Sequence, residues 1–197
     1  MKKTILLGAL LLSAAAGYAQ ESRQDISASG FDLLGPTVHG NDIVLQPSTS
    51  GGVLLSYRYL LTPRSGLELN YSWAQYTNYY QYGGNLTFNP VHSRQQEISG
   101  AYVFGLSYKN YNPFVEAGVG GLIFTPILSG TYTLDAKQNT NVGGLFGSGL
   151  AYELSPSFDL RVEYRGFLVK APGFASYLKT NRYEVISMPT IGIAYHF

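Results

Sequence analysis

The feature that most constrains this chain is a period of two. Phe158, Leu160, Val162 and Tyr164 alternate with Asp159, Arg161, Glu163 and Arg165, which puts apolar side chains on one face of an extended strand and charged ones on the other. The pattern recurs. Leu67, Leu69, Tyr71 and Trp73 alternate with Glu68, Asn70, Ser72 and Ala74, and Val53, Leu55, Tyr57 and Tyr59 with Ser56 and Arg58. Ile98, Tyr102, Phe104, Leu106 and Tyr108 oppose Glu97, Ser99 and Ser107. Val115, Ala117, Val119 and Ile123 oppose Glu116, Gly118 and Gly120, with Gly121 beside them. Phe146, Leu150 and Tyr152 oppose Gly147, Gly149, Ala151 and Glu153, and Ile191, Ile193, Tyr195 and Phe197 oppose Thr190, Gly192, Ala194 and His196. These are seven strands with two chemically different faces.

Short turns rich in Pro, Asn and Ser, at Thr62-Pro63-Arg64-Ser65, Lys109-Asn110-Tyr111-Asn112 and Ser155-Pro156-Ser157, separate longer connections near 35–50, 77–93, 125–140 and 170–182. Alternating short and long connections suit an up-and-down barrel with all its long loops at one end. Closure requires a partner for the last strand and an even strand count, so an eighth strand is expected between Asp25 and Leu34, although alternation there is poor.

Composition decides what surrounds such a barrel. Only 13% of residues are charged, against about 25% in an average soluble domain, while 14% are aromatic, with 17 Tyr. No segment after the N-terminus approaches the 18 or more apolar residues of a spanning helix. At the N-terminus Lys2 and Lys3 precede an apolar run, Ile5 to Ala16, and then Gly17-Tyr18-Ala19. This reads as a cleaved secretory signal, residues 1–19, since the run is shorter than the roughly 20 residues of a membrane-spanning helix. The chain has no Cys, so neither disulfides nor a lipoprotein anchor are expected. Residues 20–197 form one domain, and their near-neutral charge offers no footprint for nucleic acid.

Charge and aromatic placement choose lipid over water for the apolar face. Arg58, Glu68, Glu97, Glu116, Glu153, Asp159, Arg161, Glu163 and Arg165 all fall on the polar face. A charge facing lipid at mid-membrane costs roughly 2–4 kcal/mol. Tyr57, Tyr59, Tyr108, Tyr152, Phe158, Tyr195 and Phe197 cluster on the apolar face beside the short turns and the C-terminus, as in an interfacial aromatic belt. Trp73, Tyr76, Tyr79 and Tyr80 are candidates for a second belt at the far level.

The final segment, Ile191-Gly192-Ile193-Ala194-Tyr195-His196-Phe197, resembles the C-terminal signature of outer-membrane barrels. Taken with the strand pattern, the chain is similar to the small eight-stranded OmpA/opacity-type barrels over residues 20–197. The resemblance implies an all-β fold, an eight-stranded antiparallel up-and-down transmembrane β-barrel with short periplasmic turns and long extracellular loops. It also implies location in the cell outer membrane, contact with outer-membrane lipid and lipopolysaccharide, and an assembly signal formed by Ile191, Ile193, Tyr195 and Phe197 that the barrel assembly machinery reads. Pro189 departs from the pattern, because proline cannot donate to the ladder, and a bulge or a strand end above the membrane is expected there.

Eight strands enclose an interior just wide enough for side chains to fill. Arg58, Arg161 and Arg165 are expected to pair with Glu68, Glu116, Asp159 and Glu163 in that lumen. The reading is an ion-paired plug rather than an open diffusion porin, with a gated narrow pore as the competing view. No catalytic, cofactor or metal site is expected. His39, His92 and His196 lie apart in the sequence, and the His-x-Ser and Asp-Ser pairings of lipid A-modifying enzymes are missing, since Ser93 directly follows His92. The function expected is structural or adhesin-like, through an extracellular ligand meeting long loops that carry Tyr76, Tyr79, Tyr80 and Tyr82 with Asn78, Asn85 and Asn89. A lipid A-modifying enzyme, or a soluble periplasmic barrel with a small apolar ligand, are the alternatives.

Overall fold

The computed structural model describes residues 23–82, 89–127, 138–174 and 179–197. The signal Met1–Ala19 and Asn85 lie outside the described residues. Ten strands follow one another: β1 (Gln24–Leu33), β2 (Val38–Gly40), β3 (Ile43–Pro47), β4 (Ser50–Thr62), β5 (Ser65–Tyr82), β6 (Asn89–Gly105), β7 (Tyr111–Pro126), β8 (Asn139–Ser155), β9 (Phe158–Lys170) and β10 (Tyr183–His196). Eight of them close a barrel. Each of β4 to β9 pairs antiparallel with the next in sequence, and β1 completes the circle between β4 and β10. Closure satisfies every edge, as a backbone inside lipid requires.

The period of two becomes two surfaces. On β9, Asp159, Arg161, Glu163 and Arg165 are buried inside, while Val162 and Tyr164 are exposed outside. Among the described strand residues, the outward-facing charges are Asp32, Arg94 and Lys170, all at the outer ends of their strands. The wide band between carries apolar side chains such as Leu55, Ile98, Val119 and Ile193, each more than half exposed.

The short turns are two-residue connections. Pro63-Arg64 links paired Thr62 and Ser65, and Pro156-Ser157 links paired Ser155 and Phe158. Lys109-Asn110 sits between Tyr108 and Tyr111, with Lys109 at φ 54°. Around this end the aromatic belt is observed: rings of Tyr111 and Tyr152 lie 5.0 Å apart, Phe158 and Tyr195 5.1 Å, and Tyr195 stacks on Phe197 at 6.0 Å.

The far end differs from expectation in three respects. First, the connection 35–50 contains a hairpin, β2–β3, turning at Asn41-Asp42 with φ 52° and 57°, a pair of left-handed residues that matches the twist of its strands. Its strand β3 pairs with Asn78–Tyr82 of β5 and continues the wall above β4. Second, Thr77–Tyr82 and Asn89–Ser93 are strand rather than loop, paired in unbroken register as far as Tyr80 and Asn89. Third, Tyr76 and Tyr80 are buried inside the barrel; only Trp73 and Tyr79 of the proposed second belt face outward. Asn78 is buried as well, so three of the expected Tyr/Asn loop residues, Tyr76, Asn78 and Tyr80, point into the barrel.

Pro189 makes no bulge. Its strand keeps continuous register with β9 through the Pro189–Tyr164 pair. The interruption falls on the β1 side, where pairing stops at Phe31–Thr190 and resumes at Leu34–Ser187, whose N–H and C=O groups bond reciprocally at 2.9 and 2.8 Å. Asp32 stands opposite Pro189, the residue without an N–H to give it.

Candidate functional site

The interior has two storeys, because the inward-facing residues change character along each strand. On β1, Asp25, Ser27 and Ser29 give way to Phe31 and Leu33; on β9, Arg161, Glu163 and Arg165 give way to Phe167 and Val169; on β10, Thr190 is followed outward by Met188 and Ile186. The lower storey is polar and the upper one apolar.

Three arginines organise the lower storey. Arg58 Nε donates to Glu68 Oε2 at 2.7 Å. Arg161 Nη2 donates to Asp25 Oδ1 at 3.0 Å, and its Nη1 lies 3.6 Å from Glu68 Oε2. Arg165 holds three carboxylates, Glu97 by Nη2 and both Glu116 and Glu163 by Nε, each at 3.1 Å. All of these side chains are at most 8% exposed, a depth at which an ion needs a partner. Ser72 and Ser99 hydroxyls donate to Glu97, at 3.0 and 2.6 Å. The Asn70 amide, oriented by its neighbours, donates to Glu68 Oε1 at 2.9 Å and accepts from Arg165 Nη2 at 3.2 Å, joining the two arginine groups.

Six of the seven residues expected in the charge cluster therefore share this network: Arg58, Glu68, Glu116, Arg161, Glu163 and Arg165. Asp159 stands apart from the arginines and pairs with His196 Nε2 at 2.9 Å. Two members were missed. Asp25 lies on the strand with weak alternation, and Glu97 shares its phase with Ser99, a signal that was in the sequence.

Above the ion pairs the barrel is packed with apolar side chains. Phe31, Leu33, Phe124, Phe167, Val169, Ile186 and Met188 form one buried cluster with Val38, Ile43 and Leu45 of the β2–β3 hairpin. Tyr80 ties this cluster to the β9–β10 connection, its hydroxyl donating to Pro172 O at 3.1 Å and its ring meeting Phe174 edge-on at 6.4 Å. Across the mouth, Asn41 Nδ2 donates to Lys179 O at 2.9 Å.

The three histidines stay separate. His39 is exposed on β2, His92 accepts or donates through Nδ1 to Thr77 Oγ1 at 2.7 Å on the outer wall, and His196 sits at the short-turn mouth. Among the described residues no group of three His, Asp or Glu side chains is arranged to hold a metal ion. Ile191, Ile193, Tyr195 and Phe197, expected from the sequence to form an assembly signal, share the outer face of β10 and its C-terminal extension, with Ile191 and Ile193 more than half exposed.

The fold has solved counterparts at low identity. The outer membrane protein OprG from Pseudomonas aeruginosa superposes with a TM-score of 0.67 at 14% identity, covering 91% of this chain and 98% of that one. Neisserial surface protein A gives 0.60 at 15% identity over 89% and 98%. Ail, the attachment invasion locus protein of Yersinia pestis, solved with the heparin analogue sucrose octasulfate, gives 0.54 at 16% over 90% and 100%. No curated protein sequence matches the chain. Residues 4–197 match the model of the outer membrane protein beta-barrel domain, and the chain belongs to that family of outer-membrane barrels.

Proposed function

We propose that this protein is a sealed, non-catalytic barrel that presents its outer end to other surfaces and passes no solute. The observation that carries this reading is the double closure of the interior, by buried ion pairs below and apolar packing above. A route for water or ions would have to break both. What remains available is the outer rim, where the β2–β3 hairpin and the tops of β5 and β6 extend the wall.

That rim is basic among the described residues. Lys170, Lys179 and Arg182 are exposed there against Asp32 and Asp42, a balance that favours anionic partners such as lipopolysaccharide phosphates or sulfated sugars. The solved complex of Ail with a heparin analogue makes a sulfated polysaccharide a reasonable first ligand to try. Export through a cleaved signal, residues 1–19, and insertion guided by Ile191, Ile193, Tyr195 and Phe197 through the barrel assembly machinery belong to the same reading.

Binding of expressing cells to immobilised heparin tests it. Cells carrying the native protein are expected to adhere, and the Lys170→Glu/Lys179→Glu/Arg182→Glu variant to lose adhesion while keeping the gel-mobility shift of a folded barrel. Adhesion unaffected by the triple change contradicts the reading. Lipid A extracted from the same cells is expected to be unaltered, and an acyl change dependent on the protein contradicts the non-catalytic part.

A further inference from the structure

One carboxyl group interrupts the apolar storey. Glu184, on the inner face of β10, is 6% exposed and pairs in register with Val169, a member of the apolar cluster. It makes no hydrogen bond or ion pair with any described residue. The titratable groups that face it are two phenols of β5, Tyr76 and Tyr80, both close enough to feel its charge. Tyr80 gives its hydroxyl hydrogen to Pro172 O instead. The cations nearby are turned to water: Lys170 at the end of β9, and Lys179 and Arg182 in the β9–β10 connection, are exposed, as are His39 and Asp42 of the β2–β3 hairpin. A carboxylate buried without a cation is costly, so such a group keeps its proton. Glu184 lies outward of Pro189 on β10, past the level at which Asp32 ends the lipid-facing band, and burial pushes its carboxyl up to about 7.

This group stands at the weakest seam of the outer mouth. The ladder between β1 and β10 ends at the Leu34–Ser187 bridge, and outward of it no backbone bond joins β10 to β2 among the described residues. The hairpin is therefore held by strand pairing on one side only, through β3 and the top of β5. Toward β10 it is held by apolar packing of Val38, Ile43 and Leu45 with Val169 and Ile186, and by the Asn41–Lys179 bond at 2.9 Å. A negative charge appearing beneath that packing has water as its nearest remedy, and water reaches it by parting the seam.

We infer that the β2–β3 hairpin is a pH-sensitive lid on the outer mouth, seated while Glu184 is neutral and released when Glu184 ionises. With the hairpin seated the carboxyl holds its proton more tightly than in water. The seated form is thus most stable below the ordinary carboxylate range and loses stability as the pH rises from there to about 7, after which the bias toward release is constant. Release uncovers apolar Leu33 and Ile186 and reshapes the rim, while the ion-paired storey below stays closed. The lid does not depend on what the rim binds.

The test uses the full mature chain folded in detergent micelles. Hydrogen exchange of the Ile43, Val44 and Leu45 amides is followed by NMR between about pH 5 and about pH 8 and expressed as protection factors, which divide out the intrinsic pH dependence of exchange. Protection is expected to fall roughly tenfold or more across that range, with Ile191 and Ile193 in the wall unchanged. The side-chain carboxyl carbon of Glu184 is expected to titrate near the same midpoint as the loss of protection. Glu184→Gln keeps the size of the side chain and cannot ionise, and is expected to hold its protection at both ends of the range. Hairpin protection that does not change with pH in the native protein, a pH dependence that survives in folded Glu184→Gln, or a Glu184 midpoint in the ordinary carboxylate range overturns the proposal.

Discussion

Arg165 of β9 and Glu97 of β6 meet across the lumen at 3.1 Å, with the two intervening strands β7 and β8 closing the wall behind them. The same guanidinium holds Glu116 and Glu163, so one side chain pairs with carboxylates from three strands. Replacing it with Met leaves those carboxylates buried and unmatched. Breaking a buried pair in this way costs about 3–5 kcal/mol. Arg165→Met is therefore expected to lower the urea midpoint of the folded barrel far more than Glu97→Gln, which keeps a side chain able to bond Ser72 and Ser99. Equal midpoints for the two variants contradict the central role of Arg165.

The outward face of β9 tests which surface meets lipid. Val162 is half exposed and lies between outward Leu150 and Ile191 in the neighbouring strands. Val162→Arg is expected to destabilise the barrel in lipid vesicles by roughly 2–4 kcal/mol. The same change at Thr77, among outward Gln75, His92 and Arg94 near the outer rim, is expected to cost less than about 1 kcal/mol. Unfolding by urea in vesicles reads both, and similar costs at the two sites argue against the lipid band.

Phe197 is the last outward residue of the periplasmic belt. Its ring stacks on Tyr195 at 6.0 Å and its N–H donates to Gln24 O at 3.0 Å, contacts that fasten only the end of the chain. Deleting it is expected to slow insertion by the assembly machinery in cells more than it lowers the stability of barrels already folded. Equal defects in pulse-chase assembly and in urea unfolding refute an assembly role.

At the β1–β10 seam, Pro189→Ala restores an N–H opposite Asp32, where the ladder is interrupted. The new amide is expected to be protected from hydrogen exchange to the level of Ile191. Rapid exchange there means that the interruption has a cause other than the missing donor.

Most of the membrane-spanning wall is legible in the sequence because lipid outside and charge inside impose opposite chemistries on alternate residues. Legibility fails where that opposition reverses. On β1 the inward residues pass from Asp25 and Ser27 to Phe31 and Leu33, while the outward ones pass from Ile26 to Asp32. Read as one strand, the two halves cancel and the alternation looks poor. The upper half of β5 reverses in the same way, with Gln75 and Thr77 outward and Tyr76 and Tyr80 inward, and so resembles an aromatic loop. The phase of Tyr80 relative to Leu69 already places it on the inner face, so strict counting through the polar stretch recovers what polarity alone conceals. The β2–β3 hairpin is too short to show a period, and its Asn41-Asp42 turn is the signal that could have located it.

The central claim is that the native interior is sealed, and conductance tests it most directly. Purified protein reconstituted in planar bilayers at moderate salt is expected to give no stepwise openings, whereas Arg165→Ala, with its carboxylates released, is expected to give noisy intermittent current. Steady, well-resolved openings from the native protein contradict the account.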